Sequence, residues 1–242
     1  MKKMIRFCAS ASALISASHV MALPVTETYT FSSLAAVVPD GGGSGLANLQ
    51  IVSSSIVNIT DLTVSLYIAG GSFPAFTGIN GDLYAYVQHS TGFSVLLNRP
   101  GMDGGNTLGY FDAGGIRADF NDAGINGNAH TYQTVPGPGA PPSGVPVVGV
   151  FQPDGRNIDS LTSTAAAVGS APSTALLSSF NGLDANGGWT LYVEDMFGDG
   201  STFVLNNWSL EITGDNSVAA IPEPRAMLPL ALLFAVVLLR RR

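Results

Sequence analysis

Apolar side chains recur at every second position in five separate stretches of this chain, and that period most limits its fold. Leu62, Val64, Leu66 and Ile68 alternate with Thr63, Ser65 and Tyr67. Leu83, Ala85 and Val87 alternate with Tyr84 and Tyr86, and Phe93, Val95 and Leu97 follow the turn residues Ser90-Thr91-Gly92. Trp189, Leu191 and Val193 form a fourth set, and Trp208, Leu210 and Ile212 a fifth. Side chains of a strand point alternately to its two faces, so each set lays one apolar row on one sheet face. Clusters of Gly, Asn, Asp and Pro separate the sets, as turns require. Helical spacing with caps is missing between residues 23 and 221; the Ala-rich stretch Ser160 to Leu177 comes nearest. The expectation is an all-β domain, an antiparallel β-sandwich of two packed sheets.

Charge location narrows the function classes. Seven of the ten basic residues sit at the two ends, leaving Arg99, Arg117 and Arg156 between residues 23 and 221. Against them stand sixteen Asp and Glu, a formal balance of −13 without a single lysine. A nucleic acid backbone finds no complementary surface on such a domain.

Both ends have the marks of targeting segments. Lys2, Lys3 and Arg6 precede a weakly apolar stretch, Phe7 to Ser18, and Val20-Met21-Ala22 supplies a small-residue cleavage site. Residues 1–22 are therefore expected to be a secretory signal peptide removed after about Ala22. The single cysteine, Cys8, falls inside it, so the mature chain has neither disulfide nor thiol nucleophile. At the other end Ala226 to Leu239 is an uninterrupted apolar run followed by Arg240, Arg241 and Arg242. As a helix, residues 226–239 would span roughly 21 Å, a short transmembrane helix for a bilayer core of about 30 Å. Pro222, Glu223 and Pro224 stand immediately before it. This tail, residues 222–242, resembles the PEP-CTERM sorting signal of Gram-negative bacteria. The resemblance implies recognition by an exosortase-type membrane protease, a transient membrane anchor, and delivery to the cell envelope, surface or extracellular matrix.

Between the ends, after a lead-in (23–36) and before a linker (215–221), residues 37–214 carry a second resemblance. Phe180 through Asp195 includes Asn186-Gly187-Gly188-Trp189-Thr190-Leu191-Tyr192-Val193-Glu194-Asp195. A Gly198-Asp199-Gly200 turn and the strand Asn206-Asn207-Trp208-Ser209-Leu210-Glu211-Ile212 follow. Upstream stand Val38-Pro39-Asp40-Gly41-Gly42, Gly81-Asp82-Leu83, Phe120-Asn121-Asp122-Ala123 and Gly149-Val150-Phe151-Gln152-Pro153-Asp154-Gly155. In this order the blocks resemble the P/Homo B domain that follows the catalytic domain of subtilisin-like proprotein convertases. The resemblance implies a jelly-roll-like sandwich and an association with serine endopeptidases, without the catalytic domain itself.

Residues able to do chemistry are few. After leader removal His89 and His130 are the remaining histidines, neither lies beside a Gly-x-Ser-x-Gly elbow, and their separation is no zinc spacing. A non-catalytic protein is expected. Thirteen of the seventeen acidic residues are Asp, many in Gly/Asn-rich turns that could assemble an oxygen cage for calcium. Asp82, Asp184, Asp195 and Asp199 are the candidates, and calcium is the one cofactor considered. Asp119-Phe120-Asn121-Asp122-Ala123-Gly124 opens like an EF-hand loop but fails at its fifth and twelfth positions, Ala123 and His130. Trp189 and Trp208 are expected to fill the space between the sheets. The partners expected of such a module are extracellular polysaccharide or protein.

Overall fold

The structure, a computed structural model, describes residues 24–70, 78–200 and 202–216. The proposed leader cleavage site at Ala22, the Pro222-Glu223-Pro224 signature, the 226–239 run and Arg240 to Arg242 lie outside these residues. Among the described residues no helix is long and apolar enough to cross a membrane.

Among the described residues ten strands form two sheets. They are β1 (Val25–Phe31), β2 (Ala36–Val38), β3 (Leu46–Val52), β4 (Ile56–Gly70), β5 (Leu83–His89), β6 (Gly92–Asn98), β7 (Gly115–Phe120), β8 (Val147–Phe151), β9 (Gly187–Asp195) and β10 (Phe203–Asn216). The larger sheet runs β1-β10-β4-β7-β8, with β2 also pairing β10; the smaller runs β3-β9-β5-β6. The last two strands are thus the inner strands of their sheets, and β10 pairs with β1, β2 and β4 together. Inward rows from both sheets close on one core. Leu62, Val64, Leu66 and Ile68 meet Leu83, Ala85, Val87, Leu191, Val193, Leu210 and Ile212, all buried. Trp189 and Trp208 are fully buried in that core. Each satisfies its indole N–H, Trp189 on Ala185 O at 3.0 Å and Trp208 on Asn48 Oδ1 at 2.8 Å. A buried indole needs such an acceptor to offset its desolvation.

Three local features depart from the pattern of the sequence. β7 and β8 pair in parallel, so the sandwich is mixed rather than wholly antiparallel. A parallel pair cannot be joined by a tight hairpin, and the long 121–146 connection, with its Pro136 to Pro142 run, supplies the crossover. In β6 a register shift falls between Ala85 and Tyr86, where Leu97 faces Ala85 and Val95 faces Tyr86. The extra residue reverses the phase, so Phe93 and Val95 point outward with Tyr86 while Leu97 points in. The third is a short helix, α1 (Ala165–Ser170), capped by Thr164 Oγ1, which accepts from Ala167 N at 3.3 Å. It lies inside the Ala-rich stretch and buries Val168.

Sheet edges are treated unequally. Asn126 covers the outer edge of β8, its N–H donating to Val150 O (2.9 Å) and its Oδ1 accepting from Val150 N (2.8 Å). The 154–175 excursion covers β6 through Asp154 N to Leu96 O (3.1 Å), Gly155 N to Val95 O (2.9 Å) and Val95 N to Ala175 O (3.1 Å). Among the described residues no backbone group of β3 bonds outside its ladder with β9.

Candidate functional site

One end of the smaller sheet gathers acid. Leu83, the first residue of β5, pairs with Asp195, the last of β9. Asp82 precedes Leu83 and is almost fully buried, its Oδ1 3.2 Å from Arg99 Nη2. Arg99 also donates from Nε to Gly81 O at 3.1 Å. Burial raises the Asp82 carboxyl to about 7; the Arg99 guanidinium opposes the rise, while Asp195 and Asp199 add to it. Asp195 is buried, and its Oδ1 accepts from Phe197 N at 3.3 Å. Asp199 is tied by its backbone N–H to Asp40 Oδ1, also at 3.3 Å.

Asp82 therefore feels two of the other candidate calcium ligands, Asp195 and Asp199, and the fourth does not join them. Asp184 stands at the far end of β5, where its carbonyl meets the ring of His89 at 2.7 Å. The seven residues of β5 separate the two ends by roughly 20 Å. The exposed Asp184 carboxylate accepts from Asn186 N (2.9 Å) and Asn186 Nδ2 (2.8 Å), bonds that hold its pKa below the ordinary value. Among the described residues no group of three or more His, Cys, Asp or Glu is disposed to hold a metal. The four aspartates do not form one cage, and Asp82 already faces a cation of the protein's own.

His89 and His130 each place both ring nitrogens beside oxygen atoms. His89 places Nδ1 2.9 Å from Gly188 O and Nε2 2.7 Å from Asp184 O. His130, buried, places Nδ1 2.8 Å from Asp154 Oδ2 and 3.1 Å from Asn98 O, with Nε2 3.0 Å from Met102 O. His130 and Asp154 thus share the base-to-carboxylate contact of a catalytic relay, but the other ring nitrogen faces a backbone carbonyl. A relay needs that nitrogen turned to a nucleophile's hydroxyl, and neither imidazole is hydrogen-bonded to one.

Asp154 is the hub of this buried network, which sequence reasoning missed. It accepts from Asn98 N (3.1 Å) and His130 through Oδ2, and from Arg156 N (3.3 Å) and Nη1 (3.1 Å) through Oδ1. Asn98 closes the ring by donating to Arg156 O at 2.9 Å and Ile158 O at 3.0 Å. The network pins the start of the 154–175 excursion to the end of β6. Asp122 of the EF-like stretch does similar work, accepting from Leu177 N (2.9 Å) and Ser178 N (2.7 Å).

On the outer face of the larger sheet lies an open trough of about 540 Å³, whose lining includes Ser65, Tyr67, Arg117, Asp119 and Asn207. The register explains the grouping: Asn207, Tyr67 and Arg117 are cross-strand neighbours, as are Ser65 and Asp119. Arg117 sits 5.6 Å above the Tyr67 ring, a cation–π contact. Among the described residues Arg99 and Arg156 are paired with carboxylates and Arg117 is not.

No family model matches the sequence, and no curated protein matches it. Among solved structures the chain is similar to the serine protease of Aeromonas sobria, at 13% identity and a TM-score of 0.42. The same share, 81% of this chain and 28% of the other, is covered in the complex of that protease and a chaperone, at 14% identity and a TM-score of 0.40. The chain thus spans little more than a quarter of the length of the proteins it is similar to.

Proposed function

We propose that this chain is an exported, non-catalytic β-sandwich module that acts by contact at the cell surface or in the extracellular matrix of a Gram-negative bacterium. Its leader directs export, and its tail serves as a transient anchor for exosortase-type sorting. The body is a jelly-roll-like P/Homo B domain, whose most similar blocks form the inner strands β9 and β10. The observation that carries the non-catalytic reading is the placement of His89 and His130, with every ring nitrogen beside an oxygen acceptor.

A fluorophosphonate probe on purified protein tests it: no labelling is expected, and a labelled serine would sink the reading. Mass spectrometry of the mature ends tests the sorting. A chain beginning near Leu23 and ending before Ala226 is expected, and an untrimmed chain from Met1 to Arg242 contradicts it.

Polysaccharide or protein is the partner class, and the trough with Tyr67, Arg117, Asp119 and Asn207 offers donors and acceptors suited to sugar hydroxyls. The sequence blocks of β9 and β10 also favour a second reading, an accessory module of a subtilisin-like serine endopeptidase acting in trans. Co-purification of a stoichiometric subtilisin-like partner from the native envelope would select it.

A further inference from the structure

β3 is an edge strand without the usual defences. Its sequence, Leu46-Ala47-Asn48-Leu49-Gln50-Ile51-Val52, has no charge and no proline, and its ladder with β9 runs through seven residues without a bulge. Leu49 is 60% exposed and Ile51 73% exposed, both on the outer face of the smaller sheet. Charge, proline and bulges are the common means of keeping an edge from pairing with another chain. The edges of β6 and β8 are covered by loop backbone and Asn126, as described above. β1 carries Glu27 at its third position, locked to Ser54 Oγ at 2.7 Å and Ser55 Oγ at 2.6 Å.

We infer that β3 pairs antiparallel with β3 of a second copy of this chain, joining the smaller sheets into one continuous eight-stranded sheet. The occupant follows from the strand's own pattern. A two-fold axis through Leu49 pairs all seven residues, and any other centre pairs fewer. It sets Leu49 against Leu49 of the second copy, and Ala47 against its Ile51. On the outer face small therefore meets large, while on the inner face Asn48 meets Gln50. A shift by one residue would turn the apolar row to the wrong side. Charge selects the same surface: the domain has a formal balance of −13, so two copies repel over most of their surfaces, and β3 brings no charge to the contact. The interface is isologous and closes at two copies, the usual form of a symmetric dimer. This inference goes beyond the proposed function and holds whether or not the chain is an exported binding module.

Two measurements on the full chain in mild detergent decide it. Sedimentation velocity from 1 to 100 µM, roughly the range over which an interface of modest affinity assembles, should show a monomer–dimer shift. Leu49→Lys places like charges opposite each other at the axis and should weaken the dimer at least about tenfold. Val37→Lys, at another exposed apolar site, should leave it intact. Unchanged circular dichroism shows that both variants fold. Register is read by oxidation in a Cys8→Ser background. Leu49→Cys should cross-link to itself, whereas Ala47→Cys and Ile51→Cys should cross-link only when mixed. A chain that stays monomeric throughout, a dimer indifferent to Leu49→Lys, or efficient self-cross-linking of Ala47→Cys overturns the inference.

Discussion

The imidazole of His89 lies flat against the indole of Trp189, with ring centroids 4.2 Å apart and planes inclined by 4°. Both rings belong to paired residues of β5 and β9, and Phe180 stacks on the other partner at 5.1 Å. The histidine ring ties together Asp184 O and Gly188 O, which flank the entry to β9. The closing hairpin of the fold therefore starts from a histidine that acts as a brace.

Replacing that brace separates its stacking from its hydrogen bonds. His89→Phe keeps an aromatic face for Trp189 and removes the ring nitrogens from beside Asp184 O and Gly188 O. A loss of about 2–3 kcal/mol is expected, read as a lower urea midpoint with an unchanged m-value.

Asp154 should be the costliest single polar truncation. Asp154→Ala strips His130, Arg156 and Asn98 N of one shared acceptor in a buried setting. Breaking a buried ion pair on one side costs about 3–5 kcal/mol. Thermal unfolding of Asp154→Ala beside an exposed control, Glu211→Ala, checks the difference.

Two carboxylates give the stability profile opposite slopes. Glu27 is lowered to about 2 by hydrogen bonds from Ser55, Tyr29 and Ser54. Its contribution is present above the ordinary value of 4.5 and is lost as pH falls toward 2. Asp82 is raised from 3.8 to about 7, so in that window the native state holds a proton that the unfolded chain has released, and stability declines as pH rises. Melting temperature against pH should fall on both sides of a mildly acidic optimum. Glu27→Gln should flatten the acid limb, and Asp82→Asn the limb between 4 and 7; a variant that leaves its own limb unchanged refutes the assignment.

Calcium tests the acidic end of the smaller sheet. Because Arg99 already faces Asp82, millimolar calcium after chelation should leave the melting temperature unchanged within about 2 °C. A calcium-dependent rise beyond about 4 °C, comparable to a gain on the order of 1 kcal/mol, would show that Asp195 and Asp199 complete a cation site.

The trough gives a ligand prediction. Affinity electrophoresis through gels containing extracellular polysaccharide should retard the wild-type chain. Arg117→Ala removes the guanidinium held above Tyr67 and should restore free migration, while its fold and melting temperature stay the same.

How much of this was legible in the sequence depended on whether the information was local. The phases of β4, β5, β9 and β10 are written in alternating apolar residues, and the two tryptophans sit on their inward rows. The phase of β6 is not, because the register shift opposite Ala85 and Tyr86 turns Phe93 and Val95 outward. Val95 is buried all the same, since the excursion lies against that edge, so hydrophobicity alone points to the wrong face. The parallel pairing of β8 leaves no trace in a five-residue apolar strand. The His130–Asp154 network draws on segments near residues 98, 128, 130, 154 and 156, and no spacing rule joins them. Asp82 and Asp195 come together through strand register, while Asp184 is carried away by the length of the intervening strand.

The place of β10 has a consequence for how the chain is made. Its residues 203–216 are the shared neighbour of β1, β2 and β4, and they are synthesised after all of them. Until that segment emerges, β1 and β2 have no partner in the larger sheet, and only β4, β7 and β8 can pair. β1 and β2 therefore wait longest for a partner, and the arrival of β10 bridges them to the β4-β7-β8 side of the sheet.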